Sequence, residues 1–254
     1  MSRQNSPQDA EIIIQKIPCD MGIHRNARKG TLNAPEKILE DLDFDRPVMI
    51  EEIFPDEFDL EDTHRKIYEN TAELQKYSKP VISVGGDHSV SYPVLKALKE
   101  ANPRMKLVWL DAHLDLKEKV GENISHDVVI RQFIEEGLFK PEEIFFVGIT
   151  EIDHDEEDFL ENNNFNIFRP DEIDQFIEEF EGDAYLSIDI DVLREELAPG
   201  TGYPDGTLAL EKVLKVIEAV HPVHADIVEV APTLDNGSTI DSSRHILETL
   251  ISEV

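Results

Sequence analysis

The sequence predicts a three-layer α/β/α fold built on a doubly wound, mostly parallel sheet. Three observations carry that expectation. Short continuous apolar runs at residues 80–84 (PVISV), 107–110 (LVWL) and 184–190 (AYLSIDI) read as strands buried on both faces. These runs alternate with segments of helical periodicity, the pattern of parallel strands joined by crossover helices. Ligand-type side chains follow the runs directly, at strand C-terminal ends, where open α/β sheets place their sites.

The elements follow in order. Residues 1–10 are polar and are expected to fray as a flexible tail. A first strand covers residues 11–16 (EIIIQK), and the loop after it carries His24 and Arg25, close enough in sequence to approach a site mouth. Ala34-Pro35 opens a helix to about Leu42. Pro47 and Pro55 bracket a strand at 48–54 and suggest that it is short or peripheral. Residues 60–77 form an amphipathic helix. The strand at 80–84 runs into Gly85-Gly86-Asp87-His88, then a helix from Val90 to Ala101. After the strand ending at Leu110, helices are expected at 128–136, 155–162, 171–181, 208–220 and 238–251. Further strands are expected at 143–148, 165–168 and 225–230, the last carrying Glu229. No repeat or linker interrupts the 254 residues, so a single domain is expected.

Composition narrows the function. With 55 acidic and 24 basic residues the formal charge is −31, which disfavours nucleic acid as a partner. The acids are spread over helical stretches such as 156–161 and 172–181, as on a strongly solvated surface suited to high salt. No apolar run reaches membrane-spanning length, and the polar N-terminus lacks the apolar core of a secretory signal. A single cysteine, Cys19, leaves no disulfide framework and no thiolate metal cluster. A cytoplasmic protein is expected.

Four strand ends carry the chemistry: His88; Asp111, His113 and Asp115; Asp189 and Asp191; and Glu229. On extended backbone the i, i+2, i+4 spacing would put Asp111, His113 and Asp115 on one side, and Asp189 with Asp191 likewise. Carboxylates and imidazoles aimed at one point call for a cation. Two histidines and four aspartates exceed what one tetrahedral zinc needs. Oxygen-rich ligation with no thiolate suits Mn²⁺, and two such ions sharing carboxylates would supply a water-derived nucleophile at neutral pH. Trp109, Phe145 and Phe146 read as core, and His221 and His224 as surface-loop residues.

The motifs GGDHS, DAHLD, Ser125-His126, SIDID, APGTGYP and VEVAPTLD resemble those of the arginase/agmatinase (ureohydrolase) family, over most of the chain. The resemblance extends to Gly30 and Pro35. It implies an arginase-like fold, a homo-oligomer (trimer or hexamer), two Mn²⁺ per subunit and a small cationic guanidino substrate, agmatine first. His88, Asp111, Asp115 and Asp189 would then hold one ion, and His113, Asp111, Asp189 and Asp191 the other. His126 would carry protons, Glu229 would orient the guanidinium, and Asp115 would accept a hydrogen bond from the nucleophile. The mouth departs from the family pattern at Lys117, Asp127, Thr207 and the stretch 194–197 (REEL). Arginine, guanidinobutyrate or formiminoglutamate are therefore alternative substrates, with Lys117 or Arg194 able to meet a substrate carboxylate. A metal-binding regulatory homologue without turnover is the alternative from another class. A single-zinc deacetylase, of related fold, would leave carboxylates unmatched.

Overall fold

The structure is a computed structural model, and it describes residues 3–23 and 29–254; His24 and Arg25 lie outside the described residues. The strands are β1 (Arg3–Gln4), β2 (Ile12–Lys16), β3 (Val48–Glu52), β4 (Val81–Val84), β5 (Lys106–Leu110), β6 (Ile144–Val147), β7 (Asn166–Phe168), β8 (Ala184–Asp189) and β9 (His224–Val228). They form one nine-stranded sheet in the order β1-β3-β2-β4-β9-β8-β5-β6-β7. Every pairing is parallel, from Ile12↔Val48 on one side to Val147↔Phe168 on the other. The helices are α1 (Ala34–Leu39), α2 (Leu60–Leu74), α3 (Ser91–Ala101), α4 (Val129–Glu135), α5 (His154–Glu161), α6 (Ile173–Glu179), α7 (Leu210–Val220) and α8 (Ser238–Glu253).

The helices cover both faces. Ile38 of α1, Phe176 of α6, Val216 of α7 and Leu247 of α8 share one core with Val108 and Leu110. Ile67 of α2, Leu95 of α3, Phe133 of α4 and, at its margin, Phe159 of α5 share the other with Leu107 and Trp109. Alternate side chains of β5 thus feed opposite layers, which is why its sequence is apolar throughout. Among the described residues no helix is long and apolar enough to cross a membrane.

Connectivity decides where a site can form. The chain builds outward from β2 to β4, jumps to β5, continues to β6 and β7, and returns to place β8 and β9 between β4 and β5. The winding direction changes across the adjacent strands β4, β9, β8 and β5. Their C-terminal ends therefore line one crevice at the centre of the sheet.

Two local expectations need correction. Residues 1–10 were expected to fray, but Arg3 and Gln4 pair with Val48 and Met49 as an edge strand. The Arg3 guanidinium also donates to the Leu39 carbonyl at 3.2 Å. Its neighbour β3 is consequently one strand in from the edge. Pro47 tolerates that position because it precedes the strand and offers its carbonyl to the Glu11 N–H at 2.8 Å. His224, expected in a loop, opens β9 and accepts a hydrogen bond from the Val81 N–H at Nδ1, 3.0 Å.

The turn after β4 shows why glycine is needed there. A Cβ on Gly86 would lie 1.7 Å from the carbonyl oxygen of Cys19. The same turn is tied to its neighbours: Asp87 N–H donates to Cys19 O at 3.0 Å, and Gly86 O accepts from Glu229 N–H at 2.8 Å. Gly86→Ala must push backbone from backbone, so a loss of about 2 kcal/mol or more is expected in urea-induced unfolding of the variant.

Candidate metal centre and active site

His88 and its partners occupy the middle of the crevice. Its Nδ1 lies 3.2 Å from Asp111 Oδ2, 3.4 Å from Asp115 Oδ2 and 3.2 Å from Asp189 Oδ2. His113 Nδ1 lies 3.1 Å from Asp191 Oδ2 and 3.5 Å from Asp111 Oδ1. Two groups have ligand atoms within 4.8 Å of one another: His88, Asp111 and Asp115, and Asp111, His113 and Asp191. Asp111 belongs to both, and Asp189 joins through its contact with His88. All six side chains predicted as ligands are thus brought together.

They do not converge by the extended geometry expected. The strands stop at Leu110 and Asp189, and the chain then bends. Asp115 takes a left-handed backbone at φ +52°. Asp111 Oδ1 accepts from the His113 N–H at 2.7 Å, and Asp189 Oδ1 accepts from the Asp191 N–H at 2.8 Å in a single 3₁₀ turn. These carboxylates fold their own backbone into turns while the opposite oxygen points inward.

Burial and close carboxylates shift the titration of the clustered groups. Burial opposes a charged His88, yet the Asp111 and Asp189 carboxylates close to its Nδ1 carry its pKa well above the usual imidazole range. His113 is also raised, against burial, by Asp191 and Asp111. Burial and the neighbouring carboxylates push Asp115 and Asp189 up, and burial raises Asp191 to about 6. Without a cation these groups must hold protons to coexist.

The donor set fits a metal. Ser187 Oγ donates to Asp226 Oδ1 at 2.7 Å, so the contact at 2.8 Å between His88 Nε2 and Ser187 Oγ is a bond donated by the imidazole. That tautomer leaves Nδ1 a lone pair facing three carboxylate oxygens. Among the described residues, His88 Nδ1 and Asp111 Oδ2 are buried side-chain atoms without a hydrogen-bond partner. A divalent cation satisfies both. Asp226 is itself fixed by Ser91 Oγ at 2.6 Å and Tyr185 OH at 2.7 Å. Trp109, expected as simple core, stacks on the His88 ring at 3.8 Å between centroids.

Glu229 and His126 stand beside the cluster. Glu229 follows β9 in a left-handed conformation, φ +60°, which turns its side chain into the crevice. Its Oε1 accepts from the His88 N–H at 2.9 Å and lies 3.2 Å from His126 Nδ1. Burial lowers the His126 pKa, but the Glu229 carboxylate outweighs it and raises the value to about 9. His113, Asp115, Lys117, His126, Asp153, Tyr203 and Glu229 share the walls of one cavity of about 130 Å³. The Tyr203 ring lies parallel to His126 at 6.2 Å and edge-on to His113 at 5.8 Å. Sequence reading missed Asp226 and Asp153, and it marked Ser187 and Tyr203 only as members of the SIDID and APGTGYP motifs. An acid inside the apolar run of β9 was the available signal for Asp226.

The family model of the arginase family matches residues 10–252. The chain belongs to the arginase family. It is 32% identical to the agmatinase of Bacillus anthracis over 74% of this chain and 69% of that one. It is 26% identical to the guanidinobutyrase of Pseudomonas aeruginosa over 88% of this chain and 80% of that one. The solved structure of formimidoylglutamase from Bacillus subtilis superposes with a TM-score of 0.89 at 21% identity, covering 99% of this chain and 89% of that one. This last likeness concerns the fold. The chain is an enzyme of the arginase family, and the expected arginase-like α/β/α fold is the one observed.

Two outcomes are expected at the centre. His113→Ala and Asp189→Ala should each lower the metal content measured by elemental analysis, with the circular dichroism spectrum kept; full content in both would refute the ligand set. In the metal-free protein the His126 ring should titrate at about 9 by NMR. Since that value is raised above the ordinary 6.5, its stabilisation is complete below pH 6.5 and fades as pH rises through 9. Glu229→Gln should move the His126 titration down.

Proposed function

We propose that this chain hydrolyses the guanidino C–N bond of a small cationic substrate, agmatine before others, to putrescine and urea. The carrying observation is the Glu229–His126 pair at 3.2 Å, set in the same cavity as the His/Asp cluster. The 32% identity to an agmatinase supports the choice of substrate. Apart from the predicted ligands, the described cavity lining holds six carboxylates against one lysine, a field that concentrates cations.

Two Mn²⁺ ions are expected here, and His88, Asp111, Asp115, His113, Asp189 and Asp191 would hold them; when bound they would supply an activated water and offset negative charge developing at the reacting carbon. Glu229 would orient the substrate, because a carboxylate and a planar guanidinium form matched hydrogen bonds. Its other contacts, to the His88 N–H and to His126, fix where that guanidinium sits. Hydrolysis adds water across the C–N bond. The oxygen ends on the urea carbon, and the departing nitrogen takes up a proton. His126 is charged at neutral pH beside Glu229 and can deliver that proton. Asp115, buried at the inner end of the cavity, can hold a proton from the attacking water.

The test is urea release by Mn²⁺-loaded protein from agmatine, arginine, 4-guanidinobutyrate and 3-guanidinopropionate, with formamide release from formiminoglutamate alongside. Silence across the panel with two metals bound would favour the non-catalytic homologue. Glu229→Gln should lower kcat/KM on the order of 100-fold, through loss of orientation. His126→Asn should lower kcat by a similar factor of about 100 with little change in KM.

A further inference from the structure

A second cavity, of about 400 Å³, lies between α2, α3 and the loop that leads to His126, and it shares no lining residue with the first. One face of α2 lines it through Glu61, His64, Arg65 and Tyr68, spaced i, i+3, i+4 and i+7. Tyr92 and Lys96 of α3 stand on the second side, and Glu122, Asn123 and Ile124 on the third. The volume is that of a small-molecule pocket.

The bonds already made by the lining residues decide what it can take. Arg65 is paired with Asp62 at 2.5 Å and Glu69 at 2.8 Å, and Lys96 with Glu136 at 3.0 Å. The phenols are engaged as well: Tyr68 OH donates to Glu100 and Tyr92 OH to Glu136, each at 2.6 Å. Among the described residues, the side chains of Glu61, Glu122 and Asn123 make no hydrogen bond or ion pair. His64 is only 8% exposed; its Nε2 meets Ser89 Oγ at 3.2 Å, and its Nδ1 has no partner among the described residues. Burial lowers the His64 pKa to about 4, so the ring is neutral, and with Nε2 donating to Ser89 its Nδ1 is an acceptor. The uncommitted groups are thus two carboxylates, an imidazole nitrogen and one amide, beside the rings of two tyrosines.

We propose that this cavity is a second binding site, for an alkylammonium ion, whose occupation steadies the loop that carries His126. Glu61 and Glu122 attract the ammonium, His64 Nδ1 accepts one of its hydrogens, and the rings of Tyr68 and Tyr92 suit both a cation and an alkyl body. An anion would meet two free carboxylates, while both lining cations are already paired. The path to the first site is short. Ile124 is followed by Ser125 and His126, and the His126 N–H donates to Gly22 O at 3.2 Å. Ser89, which meets His64, directly follows His88. A ligand held between α2 and residues 122–124 therefore restrains this loop without touching the metal centre.

The experiment adds n-hexylammonium, 1-hexanol and hexanoate in turn to the Mn²⁺-loaded protein, with calorimetry for affinity and amide hydrogen exchange for location. n-Hexylammonium should bind, and should slow exchange at residues 61–68 and 120–126. Hexanol and hexanoate should bind about tenfold more weakly or not at all. The double variant Glu61→Gln, Glu122→Gln should weaken the cation by roughly tenfold. Both side chains are exposed and unpartnered among the described residues, so the variant should keep the circular dichroism spectrum of the wild type. No binding of the cation, an affinity unchanged in the double variant, or equal binding of hexanol or hexanoate overturns the site. Exchange slowed at 61–68 but not at 120–126 overturns its hold on the loop.

Discussion

The crowding of carboxylate oxygens around His88 Nδ1 is the constraint on which this structure depends. Asp111, Asp115 and Asp189 each place an oxygen within 3.4 Å of that one nitrogen, in a fully buried setting. Groups of like charge stay together at such range only when the frame is stiffer than their repulsion and a cation offsets it. The frame is the sheet. Four adjacent parallel strands deliver four loops to one crevice, and main-chain bonds lash those loops together, as between Glu229 and Gly86.

The supporting layer is as specific as the cluster. Asp226 sits within β9 and gathers hydrogen bonds from Ser91, Tyr185 and Ser187. Ser187 in turn receives the His88 Nε2 proton, and Trp109 covers the ring face. Rotation and tautomer of His88 are both set before any ligand arrives. The His126–Glu229 pair is built on the opposite logic. Its two partners offset each other's charge at 3.2 Å.

The mouth repeats the whole chain's charge on a smaller scale. A formal charge of −31 is spread over the surface, and the cavity keeps the same sign. His113, Tyr203 and His126 give the walls flat faces, and the loop carrying Tyr203 is closed on itself where Arg194 bridges Gly206 and Leu193 bridges Leu208.

The sequence by itself determined the architecture and the six centre residues. Continuous apolar strands can be buried only between two helical layers, and polar residues cannot continue such a strand, so they fall at its end. It also marked Glu229, by its place at a strand end, and His126, through the Ser125-His126 motif. Only the tertiary structure decided how the ligands meet. The i, i+2 spacing suggested extended chain, whereas Asp111, Asp115 and Asp189 bend it, because each short carboxylate competes for nearby backbone or leaves the right-handed basin. It also decided that Arg3 joins the sheet, that Trp109 serves the centre as well as the core, and that Asp226 and Lys117 find their partners. Those are contacts between distant parts of the chain. Local propensity records what a residue does to its own backbone and carries no trace of the neighbour that strand order brings beside it.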